Sequence, residues 1–251
     1  MLSYLLGIEI LKLKRNRSFW ILLVLFVLGV FGVNNLVRVA SDANMPFKFF
    51  SFPEVWQNVV CMSRFLLVIP GLIVIMHTCA EHTYRTHRQN VIDGLSRGQY
   101  VTAKILFIVA MALFSTAVIF LTALFLGWLS GSEISFQGFR YVLYSFVQSL
   151  SCMGLAFLFA LLFKRSAVVT GIFFSYVFIF KNVLEHYLNK LGAGDFVPLI
   201  SSDNLTPIAN TFVRDLIRHD YKPEGLYLAL SLLYIILFYS FCYYRYKKQD
   251  L

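Results

Sequence analysis

The chain has 251 residues, of which 59% are hydrophobic and only 14% are charged, and its mean hydropathy is +0.71. Soluble proteins carry about a quarter charged residues, so this composition excludes an ordinary soluble protein. The formal charge of +9 would suit nucleic-acid binding, but its distribution along the chain favours another explanation.

Six apolar runs are each about as long as the ~17 to 25 residues that a helix needs to cross the hydrocarbon core. They cover residues 19–37, 59–78, 104–128, 143–163, 167–183 and 226–243. The first run follows basic residues, as in a signal peptide, but it is longer than a signal-peptide core, so we expect a retained span. The prediction is an all-α, polytopic membrane protein with one six-span domain, residues 19–251, after a pre-helix at residues 1–18.

An even number of spans places both ends of the chain on one side of the membrane. That side carries 13 of the 22 basic residues and 4 of the 13 acidic ones, a balance of +9, and the other side is neutral. The positive-inside rule assigns the basic side to the cytoplasm. We therefore expect a protein of the cell (inner) membrane with cytoplasmic termini, whose basic flanks meet anionic lipids rather than nucleic acid.

The pre-helix mixes basic residues with apolar residues at helical spacing. Its apolar residues are Leu2, Leu5, Leu6, Ile10 and Leu13. The segment is either an amphipathic helix lying in the membrane interface or an ordinary basic flank of the first span.

Few ionisable side chains fall within the spans. Arg64, near the outer end of the second span, is either functional or snorkels to the headgroups, and we favour snorkelling. No Asp or Glu lies in the middle of a span, which disfavours a carrier driven by an ion gradient. The four cysteines are expected to be small packing residues rather than disulfides or metal ligands.

The connection between the second and third spans, residues 80–103, is the densest polar segment. Residues 81–92 contain no helix breaker, so we expect a short cytoplasmic helix that ends at Gly94, with Ser96 or Thr102 capping the next helix. Glu81 and Arg85 form an i,i+4 pair that stiffens this helix, and Arg88 lies within one turn of Arg85. Such a helix either docks on a partner or is a solvated basic loop.

The longest connection lies outside, at residues 184–225. It contains the apolar stretches 196–200 and 205–213, which are too short to cross the membrane. We predict a re-entrant or interfacial region, because such stretches can dip into the outer leaflet where protein buries their backbone. A small outer cap on the helix ends is the alternative.

The sequence lacks the residues that several classes of enzyme require. No P-loop, GxxxxGK followed by Ser or Thr, occurs, so we do not expect this chain to hydrolyse ATP. Residues 93–97 resemble the DGxxAR start of alcohol phosphotransferases that make phospholipids, but the later acids that would hold their metal are missing. A serine protease within the membrane would need a histidine partner, and only His77 lies near a span. We expect no cofactor or metal on this chain.

The order of elements resembles the permeases of type-2 ATP-binding-cassette (ABC) exporters. Their first inner loop runs from a Glu at the end of span 2, through a Thr, to a Ser-Arg pair and then a Lys that opens span 3. The residues that match are Glu81, Thr86, Ser96, Arg97 and Lys104. The loop departs from the family where Arg85 replaces the usual Gly and where no Pro precedes the Ser-Arg pair.

The resemblance implies that the inner loop is a coupling helix that docks on ABC ATPase subunits, which bind ATP and Mg. The implied coupling residues are Glu81, Arg85, Thr86, Arg88, Asp93, Ser96, Arg97 and Lys104. In the pre-helix, Glu9, Lys12 and Arg15 match the family's charged positions.

The resemblance further implies an exporter that works as a dimer with a second permease copy or a sister permease. Spans 2 and 5 would line the pore, and the candidate gate residues are Phe173, Phe174, Phe178 and Phe180. These side chains are either a gate or helix packing. Efflux of a lipid-like, peptide or drug-like substrate is the implied function; the alternative is a stand-alone channel or lipid-handling protein without an ATPase.

Overall fold

The structure, a computed structural model, describes residues 7, 13, 16–44, 48–83, 97–163, 165–209 and 222–248. Its regular structure within these ranges is helical, without a strand. Six helices are long and apolar enough to cross a membrane, and we call them spans 1 to 6: Arg17–Ala43, Val55–Glu81, Gly98–Leu129, Arg140–Phe163, Ser166–Asn189 and Glu224–Arg245. Each contains one predicted apolar run, so the six-span, all-α fold is confirmed.

The helices extend past the apolar runs, and two of the spans change helix type along their length. The helical segments are Arg17–Asn44, Val55–Ser63, Arg64–Leu67 (a 3-10 turn), Val68–Thr83, Arg97–Leu129, Arg140–Phe163, Ser166–Ser175, Tyr176–Phe180 (a π turn), Lys181–Asn189, Gly194–Phe196 (a 3-10 turn), Ile200–Asn204 and Glu224–Lys248.

Span 4 is the centre of the bundle and contacts spans 2, 3, 5 and 6. Small residues allow this packing, because helices in lipid associate by close van der Waals contact. At Gly154 of span 4 a side-chain Cβ would lie 3.2 Å from the Tyr239 ring of span 6, and at Gly71 of span 2 it would lie 2.7 Å from Cζ of Phe173 in span 5. Spans 2 and 5 therefore touch each other within one chain, as spans 4 and 6 do.

The 3-10 turn in span 2, Arg64–Leu67, ends three residues before Pro70. Proline has no N–H to donate to the preceding turn and its ring clashes with the carbonyl of residue i−4, here Leu66. Side chains of neighbouring helices can also bond to carbonyls near such an irregular turn. The thiol of Cys152 in span 4 lies 3.6 Å from the carbonyl oxygen of Leu67, in the geometry of a hydrogen bond that it donates.

Span 5 contains one π turn, Tyr176–Phe180. A π turn holds an extra residue and so rotates the rest of the helix by about one residue position, ~100°. The inward side of the span then runs through Val169, Phe173, Val177 and Lys181, which are all buried. The extra residue brings Lys181 onto the same side of the helix as Phe173.

The described part of the long outer connection, residues 190–209, is called the outer segment below. Gln148 of span 4 donates to the carbonyl of Ser202 at 2.8 Å and to the hydroxyl of Thr206 at 2.6 Å. Tyr176, in the middle of span 5, donates to the carbonyl of Pro198 at 3.0 Å. The outer segment is therefore packed among the spans by hydrogen bonds from their side chains.

Candidate functional site

A network of four buried polar side chains joins the inner ends of spans 2 and 3. Lys104 Nζ lies 2.8 Å from Glu81 Oε1 and 2.8 Å from His77 Nε2. The Tyr100 hydroxyl donates to the other carboxylate oxygen of Glu81. Lys104 is 1% exposed and Glu81 is 5% exposed, so this ion pair is shielded from solvent. We call these four residues the inner network.

Local helix geometry explains how two spans produce this network. His77 and Glu81 are four residues apart on span 2, and Tyr100 and Lys104 are four apart on span 3, so each pair shares one helix face. A lysine ammonium group only donates, so His77 Nε2 is the acceptor in their contact. The Phe107 ring packs against the imidazole with centroids 5.0 Å apart. The four side chains thus form a continuous chain of donors and acceptors.

The network fixes the distance between the two ends of the inner loop. Removing one partner of a buried pair leaves an uncompensated charge, which costs about 3–5 kcal/mol, so the pair resists separation. Glu81 lies just before residues 84–96 and Lys104 lies in the second turn of the helix that follows them. Spans 2 and 3 are therefore tied together at the base of the predicted coupling helix.

The structure places only part of the predicted coupling site. Glu81 and Lys104 come together in the inner network, and Arg97 is the first residue of the span 3 helix. The positions outside the described residues are Arg85, Thr86, Arg88, Asp93, Ser96 and, in the pre-helix, Glu9, Lys12 and Arg15. The roles of all these residues stay predictions.

Of the two candidates for capping the helix of span 3, Ser96 lies outside the described residues, and the structure excludes Thr102. Thr102 does not cap the helix of span 3, because that helix already begins at Arg97. The Thr102 hydroxyl donates instead to the carbonyl of Gly98, four residues earlier, at 2.9 Å. Threonine hydroxyls inside helices commonly bond to the preceding turn in this way.

Sequence reasoning missed two members of the inner network. Tyr100 is not among the predicted site residues, and His77 is considered only as a possible histidine partner of a serine in a membrane protease. The i,i+4 pairs His77–Glu81 and Tyr100–Lys104, on consecutive spans of opposite direction, were the available signal. Which faces of the two helices meet is decided by packing, which the spacing within each helix does not determine.

The four candidate gate phenylalanines do not share one surface. Phe173 is fully buried and lies against Gly71 of span 2. Phe174, Phe178 and Phe180 are 38%, 46% and 56% exposed, and the first two stack with ring centroids 5.8 Å apart. Phe173 therefore packs within the subunit in this structure, and a gate remains a prediction for all four residues.

Arg64 is held by the protein at the outer side of the bundle. Its Nη1 lies 3.4 Å from the carbonyl oxygen of Asp203, to which it donates, and its guanidinium carbon lies 4.9 Å from the Phe65 ring centroid. The side chain of Asp203 accepts from Lys181 of span 5. Arg64 thus contacts the outer segment, a partner that the snorkelling interpretation did not include.

The cysteines show no sign of disulfide formation or metal binding in the described residues, which agrees with a packing role. All four cysteines are buried free thiols. Across the described ranges, no three His, Cys, Asp or Glu side chains are grouped so that they could hold a metal ion.

A comparison with models of protein families finds a match over most of the chain. The family model described as ABC-2 family transporter protein matches residues 5–182, which include every coupling, pre-helix and gate position discussed above. No curated protein matches the chain. The family match covers well over half of the 251 residues. The chain therefore belongs to the ABC-2 transporter family, as a multi-pass permease subunit of an ABC transporter whose ATPase is a separate partner.

Proposed function

We propose that the chain is one of two permease subunits of an exporter that moves an amphipathic substrate out of the cytoplasm. ATP and Mg would bind to the partner ATPase, and the inner loop, with its predicted helix at residues 81–92, would dock on it. The observation that carries this proposal is the inner network, which ties spans 2 and 3 together at both ends of that segment. A coupling element must be rigid to pass motion between two positions, and a buried ion pair supplies that rigidity.

Charge distribution supports the orientation. The inner loop and the ends of the chain lie on the side that carries the whole formal charge of +9. Under the positive-inside rule this side is the cytoplasm, where ATP is available. Outward transport is the direction that the resemblance to type-2 exporters implies.

Unequal burial of the spans supports a second permease subunit. About 61% of the residues of the apolar stretch are buried in each of spans 2 and 4, but only 17%, 22% and 17% in spans 1, 5 and 6. Apolar surface on a membrane helix meets either lipid or another helix. We propose that part of the exposed face of span 5, with Phe174, Phe178 and Phe180, borders a path between two copies of this chain or between sister permeases.

The composition of that path favours lipids, glycolipids, hydrophobic peptides or drugs as substrate. The outer segment would be re-entrant in this arrangement, since its backbone is bonded by side chains from the middle of span 5 and from span 4. Irregular backbone is tolerated at membrane depth when protein buries it.

The test is to express the tagged chain with its genomic neighbours, purify it in mild detergent and measure the associated ATPase activity. We expect a P-loop ATPase to co-purify, and Arg85→Glu with Arg88→Glu to abolish substrate-stimulated ATP hydrolysis. Lys247→Glu with Lys248→Glu is the control, because it changes the charge on the same side by the same amount outside the inner loop. ATP-dependent uptake into inside-out vesicles checks the direction. An active preparation without an ATPase would contradict the proposal.

A further inference from the structure

A pocket of about 120 Å³ opens where spans 2 and 5 meet the outer segment. It lies on the opposite side of the protein from the inner network, near the outer ends of the spans. The side chains that matter for its chemistry are Arg64, Phe65, Phe178, Lys181, Glu185 and Asp203. Two cations and two carboxylates therefore line a space of about four water volumes, at ~30 Å³ for each water.

The charges of the pocket are held in defined positions. Lys181 donates to the carboxylate of Asp203, and Arg64 donates to the carbonyl of the same residue at 3.4 Å. Lys181 is 8% exposed, and a charged residue at such a position in a span is costly and usually marks a functional site. The π turn Tyr176–Phe180 directly precedes Lys181 and rotates this side chain into the pocket.

The mouth of the pocket continues into apolar aromatic surface. Phe65 is 52% exposed and Phe178 is 46% exposed, and Phe178 stacks on Phe174 along the outside of span 5. A ligand that occupied the charged pocket would therefore lay its remaining part on aromatic side chains. This combination suits an amphiphile, whose headgroup is polar and whose tail is not.

We propose that this pocket binds the zwitterionic headgroup of an amphiphile, with its tail on Phe65, Phe174 and Phe178. The anionic group of the ligand would pair with Arg64 and Lys181, and its cationic group with Glu185 and Asp203. The four side chains sum to zero charge, so a purely anionic or purely cationic headgroup meets repulsion from one pair that offsets attraction to the other. The pocket is too small for a hydrocarbon chain beside the headgroup. As a substrate site it rests on the proposed export function.

The test measures binding of fluorescent amphiphiles with one shared tail to the purified permease–ATPase complex. Their headgroups are phosphoethanolamine, a phosphate monoester, trimethylammonium and an uncharged glycol. We expect phosphoethanolamine to bind roughly ten-fold more tightly than each of the others. Equal binding of all four, or tightest binding of the phosphate monoester, would overturn the proposal.

Variants assign the selectivity to the pocket. Glu185→Gln, at a half-buried position, should shift the preference towards the phosphate monoester, and Lys181→Met with Asp203→Leu should abolish discrimination among the headgroups. Arg140→Gln, which breaks the exposed 3.2 Å pair with Glu224 near the outer ends of spans 4 and 6, is the control and should leave selectivity unchanged. Selectivity that survives Glu185→Gln would contradict the proposal.

Two further measurements accompany the binding test: competition by the free headgroup and ATPase activity. Free phosphoethanolamine should compete only weakly; competition equal to that of the tailed ligand would overturn the amphiphile part. ATPase activity is measured in the same preparations. Binding without headgroup selectivity, in a complex with active ATPase, defeats the pocket proposal alone, whereas selective binding by a chain that brings no ATPase defeats the export proposal alone.

Discussion

At the scale of single residues, the inner network shows how an apolar protein keeps a buried charge. Lys104 is almost fully enclosed, and its ammonium group contacts the Glu81 carboxylate and the His77 imidazole. Three donors and a charge cannot be buried without such partners, because desolvation would cost several kcal/mol. The side chains of the inner network therefore supply one another with the charge and hydrogen-bond partners that their burial requires.

Lys104→Met should destabilise the subunit by about 3–5 kcal/mol, because Glu81 then keeps its buried negative charge without a cation. Thermal unfolding of the purified protein measures this loss. Adding Glu81→Gln to Lys104→Met removes both charges and should recover part of the stability. A double variant that is less stable than either single variant would contradict the ion-pair explanation.

Gly71→Ala should cost about 1–3 kcal/mol, since the new methyl group would lie 2.7 Å from Cζ of Phe173 and the ring must move. Phe173→Leu should relieve that clash when combined with it. Gly32→Ala in span 1 is the matched control, because nothing lies within 4 Å of its added Cβ. The melting temperatures of the three variants measure these effects. Equal values for the two single glycine variants would show that spans 2 and 5 do not pack as described.

At the scale of elements, the outer segment depends on side chains that the spans contribute. Gln148 and Gln57 donate to its carbonyl groups, and Tyr227 of span 6 donates to Asp195 at 3.1 Å. Asp195 also pairs with Lys222 at 2.7 Å. Backbone groups that would otherwise be left without partners in an apolar bundle are thereby satisfied.

Gln148→Leu should loosen the outer segment, because Ser202 and Thr206 each lose a hydrogen bond from a buried amide. Hydrogen-exchange mass spectrometry should then show faster amide exchange in residues 190–209, with little change in the inner halves of the spans. Gln137→Leu, at an exposed position between spans 3 and 4, is the control and should leave the exchange unchanged. Unchanged exchange in the Gln148 variant would mean that other contacts alone hold the segment.

At the scale of the whole molecule, the spans differ in how much of their apolar surface is buried. Spans 2 and 4 form the interior of the single chain, span 3 is intermediate, and spans 1, 5 and 6 present most of their apolar surface outwards. Span 4 contacts spans 2, 3, 5 and 6. A subunit of this kind has apolar surface available for lipid and for another subunit.

Membrane sidedness can be tested with cysteine substitutions, because the four natural cysteines are buried and should stay unlabelled. In intact cells a membrane-impermeant maleimide should label Gln137→Cys, between spans 3 and 4. It should label Thr86→Cys, in the inner loop, only after the membrane is permeabilised, since the basic side is expected to be cytoplasmic. Labelling of the two positions in the reverse order would invert the topology.

The sequence by itself determined the number of spans and the class of protein. Apolar runs of sufficient length must form helices in lipid, where every backbone group needs an internal partner, and charge asymmetry predicts their direction. The order of elements and the loop residues from Glu81 to Lys104 then indicated the ABC-2 family, which the family comparison shows. The apolar runs and the charge asymmetry are local in the chain, so composition and residue pattern reveal them, whereas the family was indicated by resemblance.

Only the tertiary structure decided which side chains meet and which stay exposed. His77 joins Lys104 across two helices, Lys181 meets Asp203 of the outer segment, and Phe173 turns inwards while Phe174 stays exposed. Each outcome depends on how one helix is rotated against its neighbours, and in these uniformly apolar spans the sequence pattern marks no single buried face. The π turn in span 5 rotates the outer part of that helix by about one residue position. Its sequence, YVFIF, contains no Gly or Pro that would predict the turn.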